Sequence, residues 1–513
     1  MAVNTATSPY WSTTATFPQF ARLDRDLTVD VAIVGGGITG LTAAYLLARD
    51  GRRVAVLERD RCALADTGHT SAHVTMVTDA RISDLAARLG RSHAQAVWDA
   101  GLAAVGQIDA IVRANDLDAD FAWVDGYLHA PVEGEPADAD PPLQADVQLA
   151  SELGFDVEWI ESVPLMGRPG VRVDGQARIH PRKYLAGLAS AVVAAGGRIF
   201  EHTEAEAFTG VPRTVKTKDG TVHCADVIIA THNPQVGVAG MTRATLLQTK
   251  LALYTSYVVA GRVPAGTVPD ALWWDTATPY HYLRVEPHRD HAVVILGGED
   301  HKTGQASDTE ACHRRLEAYL AARVPGVAVT HRWSGQVIET PDGLPYIGAT
   351  ADHEYAATGF AGNGLTFGTL AAVLMTDAIA GRANPWADLF DIDRKALGRS
   401  LWNYVTENKD YPYYMIRDRF AGAGSKSLRT VRRGRGAIIE RDGQKVAAYR
   451  GADGSVTLRS AICTHMGCTV AWNQAERTWD CPCHGSRFRT DGSVIAGPAG
   501  APLPEVAGPA GAK

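Results

Sequence analysis

Four of the chain's seven cysteines lie near its C-terminal end, close to two histidines. In order these six residues are Cys463, His465, Cys468, Cys481, Cys483 and His484. A C-x-H box followed, after fifteen residues, by a C-x-x-H box is typical of a 2Fe–2S site with two thiolates on one iron and two imidazoles on the other. Zinc is the competing interpretation, because cysteine and histidine are also its usual structural ligands. Zinc needs four ligands, whereas six candidates stand here in a fixed pattern, so the spacing favours the iron–sulfur interpretation.

A second chemical motif lies near the N-terminal end, where Gly35, Gly37 and Gly40 form the pattern G-x-G-x-x-G. The motif separates an apolar, strand-like run (VDVAIV) from a segment with helical apolar spacing, and Glu58 ends the next strand-like run. In such a turn the glycines let the backbone approach a pyrophosphate, the helix N-terminus stabilises the phosphate charge, and the acidic residue accepts hydrogen bonds from a ribose. The motif therefore predicts dinucleotide binding. Because the pattern does not recur in the sequence, a separate NAD(P)H domain is not expected.

The segments that must position these two motifs differ along the chain. Up to about residue 395, strand-like and helical segments alternate, which predicts an α/β layer architecture. From about residue 429 to 507, short strand-like runs separated by turns predict a small all-β domain. The intervening residues 396–428 mix aromatic, glycine, serine and arginine residues without periodicity and are expected to form a linker.

Composition limits the class of protein. A chain of 513 residues is too long for a single core, and a net charge of −7 gives no support to a nucleic-acid partner. The N-terminal residues lack the basic and apolar regions of a signal peptide, and no run of about 18 apolar residues predicts a transmembrane segment. We therefore expect a cytoplasmic protein, in which clustered cysteines more often bind metal or carry redox chemistry than form structural disulfides.

The body of the chain resembles the D-amino-acid oxidase-like flavoproteins. The resemblance covers roughly residues 8–395 and rests on DVAIVGGGITGLTAAYLLARDGRRVAVLERD, GQARIHPRKYLAGLASAVVAAGGRIFEHTEA, ETPDGLPYIGAT and ATGFAGNGLTFGTLAAVLMTDAIAGRANP. It implies FAD as the cofactor. It also implies FAD-binding parts at about 25–100, 176–245 and 330–395, and an α+β substrate domain with a mixed or antiparallel sheet at about 100–175 and 246–330.

The same resemblance implies further flavin-binding residues. In the family, a C-terminal segment and a loop after the second strand lie beside the flavin. The matching candidates here are Thr70, His73, Gly362, Asn363, Gly364 and Thr366. Some relatives attach FAD through a cysteine just before the TPD segment or through a histidine in the loop that holds His73. Residues 333–338 read WSGQVI, which excludes the cysteine link, and we expect the FAD to be bound non-covalently.

The C-terminal boxes CTHMGC and CPCHGS resemble those of the Rieske domains of cytochrome bc complexes. By this resemblance Cys463, His465, Cys481 and His484 are the cluster ligands, while Cys468 and Cys483 form a disulfide that joins the two loops. Ser486 matches a serine that donates to a cluster sulfide. Phe488 stands where high-potential relatives carry a tyrosine, so we expect a lower reduction potential here. A Rieske oxygenase is not expected, since such domains usually lack the two extra cysteines and accompany a mononuclear iron site.

Together the two resemblances predict an FAD-dependent oxidoreductase that acts on a small amine or amino-acid-like substrate. Electrons would leave singly through the Rieske cluster to an external acceptor, such as a ferredoxin or a quinone. Candidate substrate-side residues are Tyr282, Arg284, His301 and Lys302, and Arg284 could bind a carboxylate through both of its terminal nitrogens. The alternative is an electron-transfer protein that serves a partner and has no small-molecule substrate. An enclosed pocket with a few polar groups next to the flavin ring favours the enzyme, and an open flavin edge favours the alternative.

Overall fold

The computed structural model describes residues 5, 7–132, 140–210, 212–234, 247–248, 250–394 and 428–506. The α-helices in these parts are α1 (Tyr10–Thr14), α2 (Ile38–Arg49), α3 (Asp66–His69), α4 (Ile82–Leu89), α5 (Arg91–Ala114), α6 (Asp140–Glu152), α7 (Pro181–Ala194), α8 (Thr309–Arg323), α9 (Gly364–Ile379) and α10 (Ala387–Phe390). A short 3₁₀ helix covers Leu428–Thr430.

The strands before residue 395 are β1 (Leu27–Thr28), β2 (Val31–Val34), β3 (Val54–Leu57), β4 (His73–Val74), β5 (Ala122–His129), β6 (Val157–Ile160), β7 (Gly170–Arg178), β8 (Arg198–Phe200), β9 (Ala207–Thr209), β10 (Arg213–Lys216), β11 (Thr221–Cys224), β12 (Asp226–Ile229), β13 (Ala252–Pro264), β14 (Leu272–Asp275), β15 (Tyr282–Pro287), β16 (His291–Lys302), β17 (Ala328–Glu339), β18 (Tyr346–Ala351) and β19 (Glu354–Thr358). Those after it are β20 (Arg435–Arg441), β21 (Gln444–Arg450), β22 (Val456–Ser460), β23 (Ala471–Asn473), β24 (Thr478–Asp480), β25 (Arg487–Phe488) and β26 (Val494–Ala496).

A six-stranded sheet carries the glycine motif. Its strand order is β18-β19-β12-β2-β3-β8, and all neighbours pair in parallel except the edge pair β18–β19. Strands β2 and β3 are buried along their whole length, as expected of parallel strands covered by helices on both faces. The chain turns from β2 into α2 at Gly35–Gly37, so the glycine motif lies at the carboxyl end of a central strand. A small sheet of order β1-β11-β10-β9 lies beside it.

A larger mixed sheet forms the second part of the body. Its order is β17-β13-β16-β15-β14-β5-β7-β4, with β6 paired to β7, and most neighbours are antiparallel. The long strands β13 and β16 share a β-bulge. Thr255 lies opposite His301 and Tyr257 opposite Gly298, so that Glu299 and Asp300 together face Ser256. A bulge of this kind bends the strand and redirects a side chain.

The C-terminal part is all-β, with sheets of order β20-β21-β22 and β23-β24-β25-β26. It has two small hydrophobic cores in the described residues. One contains Trp479 and Phe488, and the other contains Val446 and Leu458. The predicted fold class, an α/β flavoprotein body followed by a small all-β domain, is confirmed. The proposed domain boundaries remain a prediction, and all of the predicted linker except Leu428 lies outside the described residues. In the described parts, no helix is both long and apolar enough to cross a membrane.

The C-terminal part packs directly on the body through several hydrogen bonds. Ala475 N donates to Thr309 Oγ1 over 3.1 Å, and Arg59 Nη2 donates to the Ile495 carbonyl over 2.9 Å. Gly304, with φ of +80°, permits the closest approach: a Cβ here would lie 2.8 Å from Pro482 N and 2.9 Å from the Asp480 carbonyl oxygen. The loop that follows β16 therefore seats the backbone of the second cysteine box.

Candidate functional site

A cavity of about 560 Å³ extends from the glycine turn to the large sheet. At one end it is lined by Gly35–Gly37 and Glu58, and further along by the loop of Thr70 and His73. Residues 362–364 line it from the start of α9, and Ile495–Gly497 line it from the C-terminal part. The two regions that carry the chemical motifs of the sequence therefore share a wall.

The glycine turn has no room for side chains. Gly35 adopts φ of +112°, and a Cβ there would lie 2.4 Å from the Ala230 carbonyl oxygen. A Cβ on Gly40 would lie 1.9 Å from the Gly35 carbonyl oxygen. Gly37 directly precedes α2, and a Cβ there would lie 3.0 Å from Thr67 Oγ1. The turn therefore requires glycine at positions 35 and 40, and the approach of a pyrophosphate at Gly37 remains a prediction.

Glu58 lies at the carboxyl end of β3 and is half-buried, and the loss of solvent around it raises the pKa of its carboxyl group. Its Oε2 accepts a hydrogen bond from Gly36 N over 2.8 Å, and its Oε1 accepts one from Asp60 N over 2.9 Å. These two bonds fix the carboxylate beside the glycine turn, where a ribose hydroxyl is expected to donate to it.

The other flavin-binding candidates take two kinds of position. Gly362, Asn363 and Gly364 line the cavity, and Gly362 adopts φ of +77° with Asp79 next to it. Asn363 Nδ2 donates to the Val77 carbonyl over 2.9 Å. The side chain of Thr366 is fully buried, and its Oγ1 donates to the Thr75 carbonyl over 2.9 Å, so it fastens the loop around β4 to α9.

Thr70 and His73 both line the cavity. Thr70 Oγ1 accepts a hydrogen bond from Ala72 N over 3.0 Å. The two ring nitrogens of His73 contact Ser71 Oγ and the Leu283 carbonyl, each at 3.1 Å, and burial lowers the pKa of His73 to about 3. A neutral, doubly hydrogen-bonded imidazole fits a positioning role in the wall.

The predicted substrate-side residues do not lie together. Tyr282 lines the cavity, and its hydroxyl lies 2.6 Å from Ser256 Oγ. Lys302 instead lines a second cavity of about 330 Å³, together with His484 of the second cysteine box.

Arg284 lies outside the lining of the main cavity, which does not support the predicted carboxylate clamp. Arg284 is fully buried on β15, two residues after Tyr282. Its Nη1 donates to the Ala72 and Ile179 carbonyls over 2.7 and 2.9 Å, and its Nη2 donates to Glu286. The ring of Trp11 lies 5.2 Å from the guanidinium carbon.

His301 also lies away from the main cavity. Its Nε2 contacts the Tyr257 hydroxyl over 3.1 Å, and its Nδ1 contacts the Lys302 carbonyl over 2.9 Å. Successive strand residues point to opposite faces. The neighbouring residue, Asp300, is the one that contacts Ser256 of the cavity wall.

Sequence reasoning missed Asp79 and Tyr280, which line the cavity, and Asp300, which lies behind its wall residue Ser256. Asp79 lines the cavity in the loop before α4, and the Tyr280 hydroxyl donates to it over 3.4 Å. No local motif marks these residues. The one signal for Asp300 in the sequence was its position two residues after the pair Gly297–Gly298, since glycine within a strand often marks a β-bulge.

The cysteine–histidine residues converge at the tips of two loops. The Cys463 and Cys481 thiols are buried, and the rings of His465 and His484 lie 4.9 Å apart at an interplanar angle of 85°. Each loop turns on a glycine, since Gly467 N donates to the Cys463 carbonyl over 3.0 Å and Gly485 N to the Cys481 carbonyl over 2.9 Å. Two thiols and two imidazoles held in this way fit the donor set of a Rieske 2Fe–2S cluster.

Cys468 and Cys483 form a disulfide between these loops. Ser486 is fully buried, and its Oγ accepts a hydrogen bond from Ala499 N over 3.0 Å. Phe488 is fully buried on β25, opposite Trp479 of β24. The side chain at position 488 thus packs in the core beneath the cluster loops and supplies no hydrogen-bond donor.

The fold and the two sites define a flavoprotein joined to a Rieske domain, and comparison with known families agrees. Residues 30–378 match the FAD-dependent oxidoreductase family and residues 425–507 match the Rieske 2Fe–2S domain. The chain belongs to the FAD-dependent oxidoreductases and carries a C-terminal Rieske domain, so its cofactors are FAD and a 2Fe–2S cluster.

Individual relatives share one or both parts. The chain is 30% identical to the putative Rieske 2Fe–2S iron–sulfur protein YhfW of Bacillus subtilis over 508 residues, 98% of each chain. It is 24% identical to the gamma-glutamylputrescine oxidoreductase of Escherichia coli over 433 residues, 80% of this chain and 98% of that one. The structure of glycine oxidase from Geobacillus kaustophilus has the same body fold, with a TM-score of 0.58 at 18% identity over 72% of this chain and all of that one.

Proposed function

We propose that this chain is a dehydrogenase that oxidises a small amine or amino-acid-like substrate and passes the electrons internally to its own Rieske cluster. The observation that carries the proposal is a single side chain. Gln336 of β17 lines the main cavity, and its Nε2 donates to the Gly485 carbonyl over 2.8 Å. Gly485 directly follows the cluster ligand His484, so one residue separates the cavity from the cluster loop.

The packing around Gln336 supports a fixed contact between the two parts. Gln336 is buried, and its amide also reaches Thr303 Oγ1 over 3.3 Å. Gln305 Nε2 donates to the Pro482 carbonyl over 3.2 Å in the same cysteine box. A contact made through buried hydrogen bonds to backbone favours one defined orientation, which is a condition for efficient electron transfer within one chain.

FAD held in this cavity would supply the two-electron oxidation of a C–H bond next to nitrogen by hydride transfer, and a 2Fe–2S cluster held by the two cysteine boxes would supply one-electron transfer. The protein's contribution is position and electrostatics. The glycine turn and Glu58 hold the nucleotide end, residues 362–364 line the cavity further along, and Tyr282 lines the substrate side. An external acceptor, such as a ferredoxin or a quinone, would then take the electrons from the cluster.

The extent of the cavity favours an enzyme over a protein that only shuttles electrons for a partner. Beyond the flavin-binding residues, the cavity continues to Trp274, Tyr280 and Tyr282 on the large sheet. A walled space with a few polar groups is what a small-molecule substrate needs. The relatives named above point to C–N substrates, since their names specify glycine and gamma-glutamylputrescine.

Anaerobic mixing of the FAD- and cluster-loaded protein with a panel of amines and amino acids tests the proposal. We expect at least one compound to remove the flavin absorbance near 450 nm and to produce the EPR signal of the reduced cluster in the same chain. Reduction of neither centre by any compound, with both centres reducible by dithionite, would contradict the proposal and favour the electron shuttle.

A pair of interface variants tests the internal route. Gln336→Leu and Gln305→Leu each remove one hydrogen bond to the same cysteine box, but of the two residues only Gln336 lines the main cavity. We expect Gln336→Leu to lower the ratio of the cluster-reduction rate to the flavin-reduction rate at least about tenfold more than Gln305→Leu. Equal ratios in the two variants would show that Gln336 contributes no more than Gln305 to electron transfer from the flavin to the cluster.

A further inference from the structure

The substrate end of the main cavity is acidic. Asp79 faces the cavity directly, and Asp300 lies behind the wall residues Ser256 and Tyr282, with Ser256 Oγ donating to Asp300 Oδ1. Burial in the cavity and, after it, the charge of Asp300 together raise the pKa of Asp79 to about 7. Burial likewise raises the pKa of Asp300 to about 6. Two neighbouring carboxylates repel each other, and a positive charge bound in the cavity beside them relieves that repulsion.

The basic residues of the cavity wall are already paired. Among the described residues that line it, the arginines are Arg59 and Arg81. Arg81 Nε donates to Asp146 over 2.6 Å, and Arg59 donates to the Ile495 carbonyl over 2.9 Å. Arg284, the natural candidate for a substrate carboxylate, is buried against Glu286 outside the cavity. A carboxylate at the reacting end of a substrate therefore meets negative charge and finds no unpaired arginine among the described lining residues.

Aromatic rings surround the same end of the cavity and form an independent second observation. The rings of Tyr280 and Tyr282 lie 5.6 Å apart, and Trp274 is the cross-strand partner of Tyr282. Gly297 makes room for this arrangement, because a Cβ there would lie 2.1 Å from Cε2 and Cζ of the Tyr282 ring. Electron-rich ring faces beside carboxylates are the usual environment for an organic cation.

From this geometry we infer that the cavity selects a cationic aliphatic amine without a carboxylate at its reacting carbon, and that Asp79 and Asp300 supply the counter-charge. The inference rests on the proposed function, since it names the substrate class of the same site. The remainder of the cavity fits an alkyl chain, because Leu128, Val157, Val171 and Val173 line it. The β-bulge between β13 and β16 contributes to this site, because it places Asp300 opposite Ser256, a residue of the cavity wall.

Matched substrate pairs test the inference in the FAD- and cluster-loaded protein. Norvaline is butylamine with a carboxylate on its reacting carbon, and norleucine is related to pentylamine in the same way. Under anaerobic conditions we expect the amine of a pair to reduce the flavin at least about tenfold faster than the amino acid. Faster reduction by the amino acids would overturn the inference and leave the proposed function intact.

A binding measurement separates the inference from the proposed function. Tetramethylammonium cannot lose hydrogen to a flavin, and we expect it to perturb the flavin absorbance spectrum on binding, whereas acetate should not. Asp79→Asn and Asp300→Asn should each weaken this binding about tenfold or more, because each removes one counter-charge. Asp300→Asn is the safer variant for flavin retention because Asp300 is set behind the wall residues.

The control is Asp118→Asn, which removes a carboxylate whose side chain is 83% exposed and should leave the affinity unchanged. Tetramethylammonium binding without reduction by any compound would support the cation site and contradict the proposed function. Absence of binding by wild type, or unchanged binding in both aspartate variants, would overturn the inference.

Discussion

The two cofactor sites are built in opposite ways. All four predicted cluster ligands and the disulfide lie within residues 463–484, on two adjacent loops of one small domain. The flavin cavity instead gathers residues from β2, β3, the loop before β4, the large sheet, α9 and even the strand β26. The cluster site is thus a local structure stabilised by a cross-link, whereas the flavin site exists only when distant segments pack correctly.

This difference predicts which changes stay local. A ligand lost from the cluster loops should leave the flavin in place, because all of the described lining residues except Ile495–Gly497 belong to the body of the chain. A clash inside the cradle should disturb the body of the chain, because the same contacts that shape the cradle hold the parallel sheet together.

The largest expected effect is that of Cys481→Ser. Removing one thiolate ligand should abolish the EPR signal of the reduced cluster, while FAD remains bound in an equimolar amount. The measurement is iron and flavin content together with EPR after dithionite reduction. Loss of flavin together with the cluster would show that the two sites form one cooperative unit, and would contradict the view that the cluster site is a local structure.

Gly40→Ala should remove the flavin. Its new Cβ would lie 1.9 Å from the Gly35 carbonyl oxygen, a backbone clash that we expect to cost about 4 kcal/mol or more in the free energy of unfolding of the body. Gly106→Ala is the matched control in α5, since a Cβ at Gly106 meets no atom within 4 Å. That control should keep its flavin and gain up to about 1 kcal/mol of helix stability. Flavin content and thermal unfolding compare the two, and equal flavin content would contradict the assigned role of Gly40.

Removing the disulfide should weaken the local site without abolishing it at once. Cys468 and Cys483 are separated by 15 residues, and a cross-link of this length contributes about 3 kcal/mol by loop-closure entropy. We expect Cys468→Ser to lose its cluster at a lower temperature than wild type, as followed by visible absorbance on heating. The same melting temperature for cluster loss would mean that the disulfide does not hold the two loops together.

The smallest expected effect is on the cluster's potential. Phe488→Tyr introduces a hydroxyl next to the cluster loops, and one added hydrogen bond of about 1 kcal/mol to a cluster sulfur corresponds to about 40 mV for one electron. A redox titration should therefore show an upward shift of that order. Phe488 is fully buried, so an unchanged potential together with intact folding would show that the new hydroxyl finds another partner.

The local site was therefore more accessible to sequence reasoning than the distributed one. Spacing and family resemblance together named the six residues of the two cysteine boxes, which the structure brings to two loop tips. The glycine turn was equally visible because a strand, a turn and a helix are consecutive in the chain.

The substrate side depended on details that sequence patterns do not carry. Tyr282 and Arg284 share a face of β15, yet only the first reaches the cavity, because Glu286 and the ring of Trp11 cover the second. The sequence pointed to His301, whereas the structure places its neighbour Asp300 behind the wall residue Ser256, at the bulge between β13 and β16. Asp79 arrives from a loop far away in the chain and had no motif to mark it.

Electrons are proposed to pass from the flavin site to the cluster within one chain. Stopped-flow mixing of the protein with a reducing amine, at several protein concentrations and without oxygen, tests this transfer. We expect loss of flavin absorbance followed by cluster reduction, with a second rate constant that does not change with protein concentration. A second rate that rises in proportion to protein concentration, or a cluster that stays oxidised after the flavin is reduced, would contradict it.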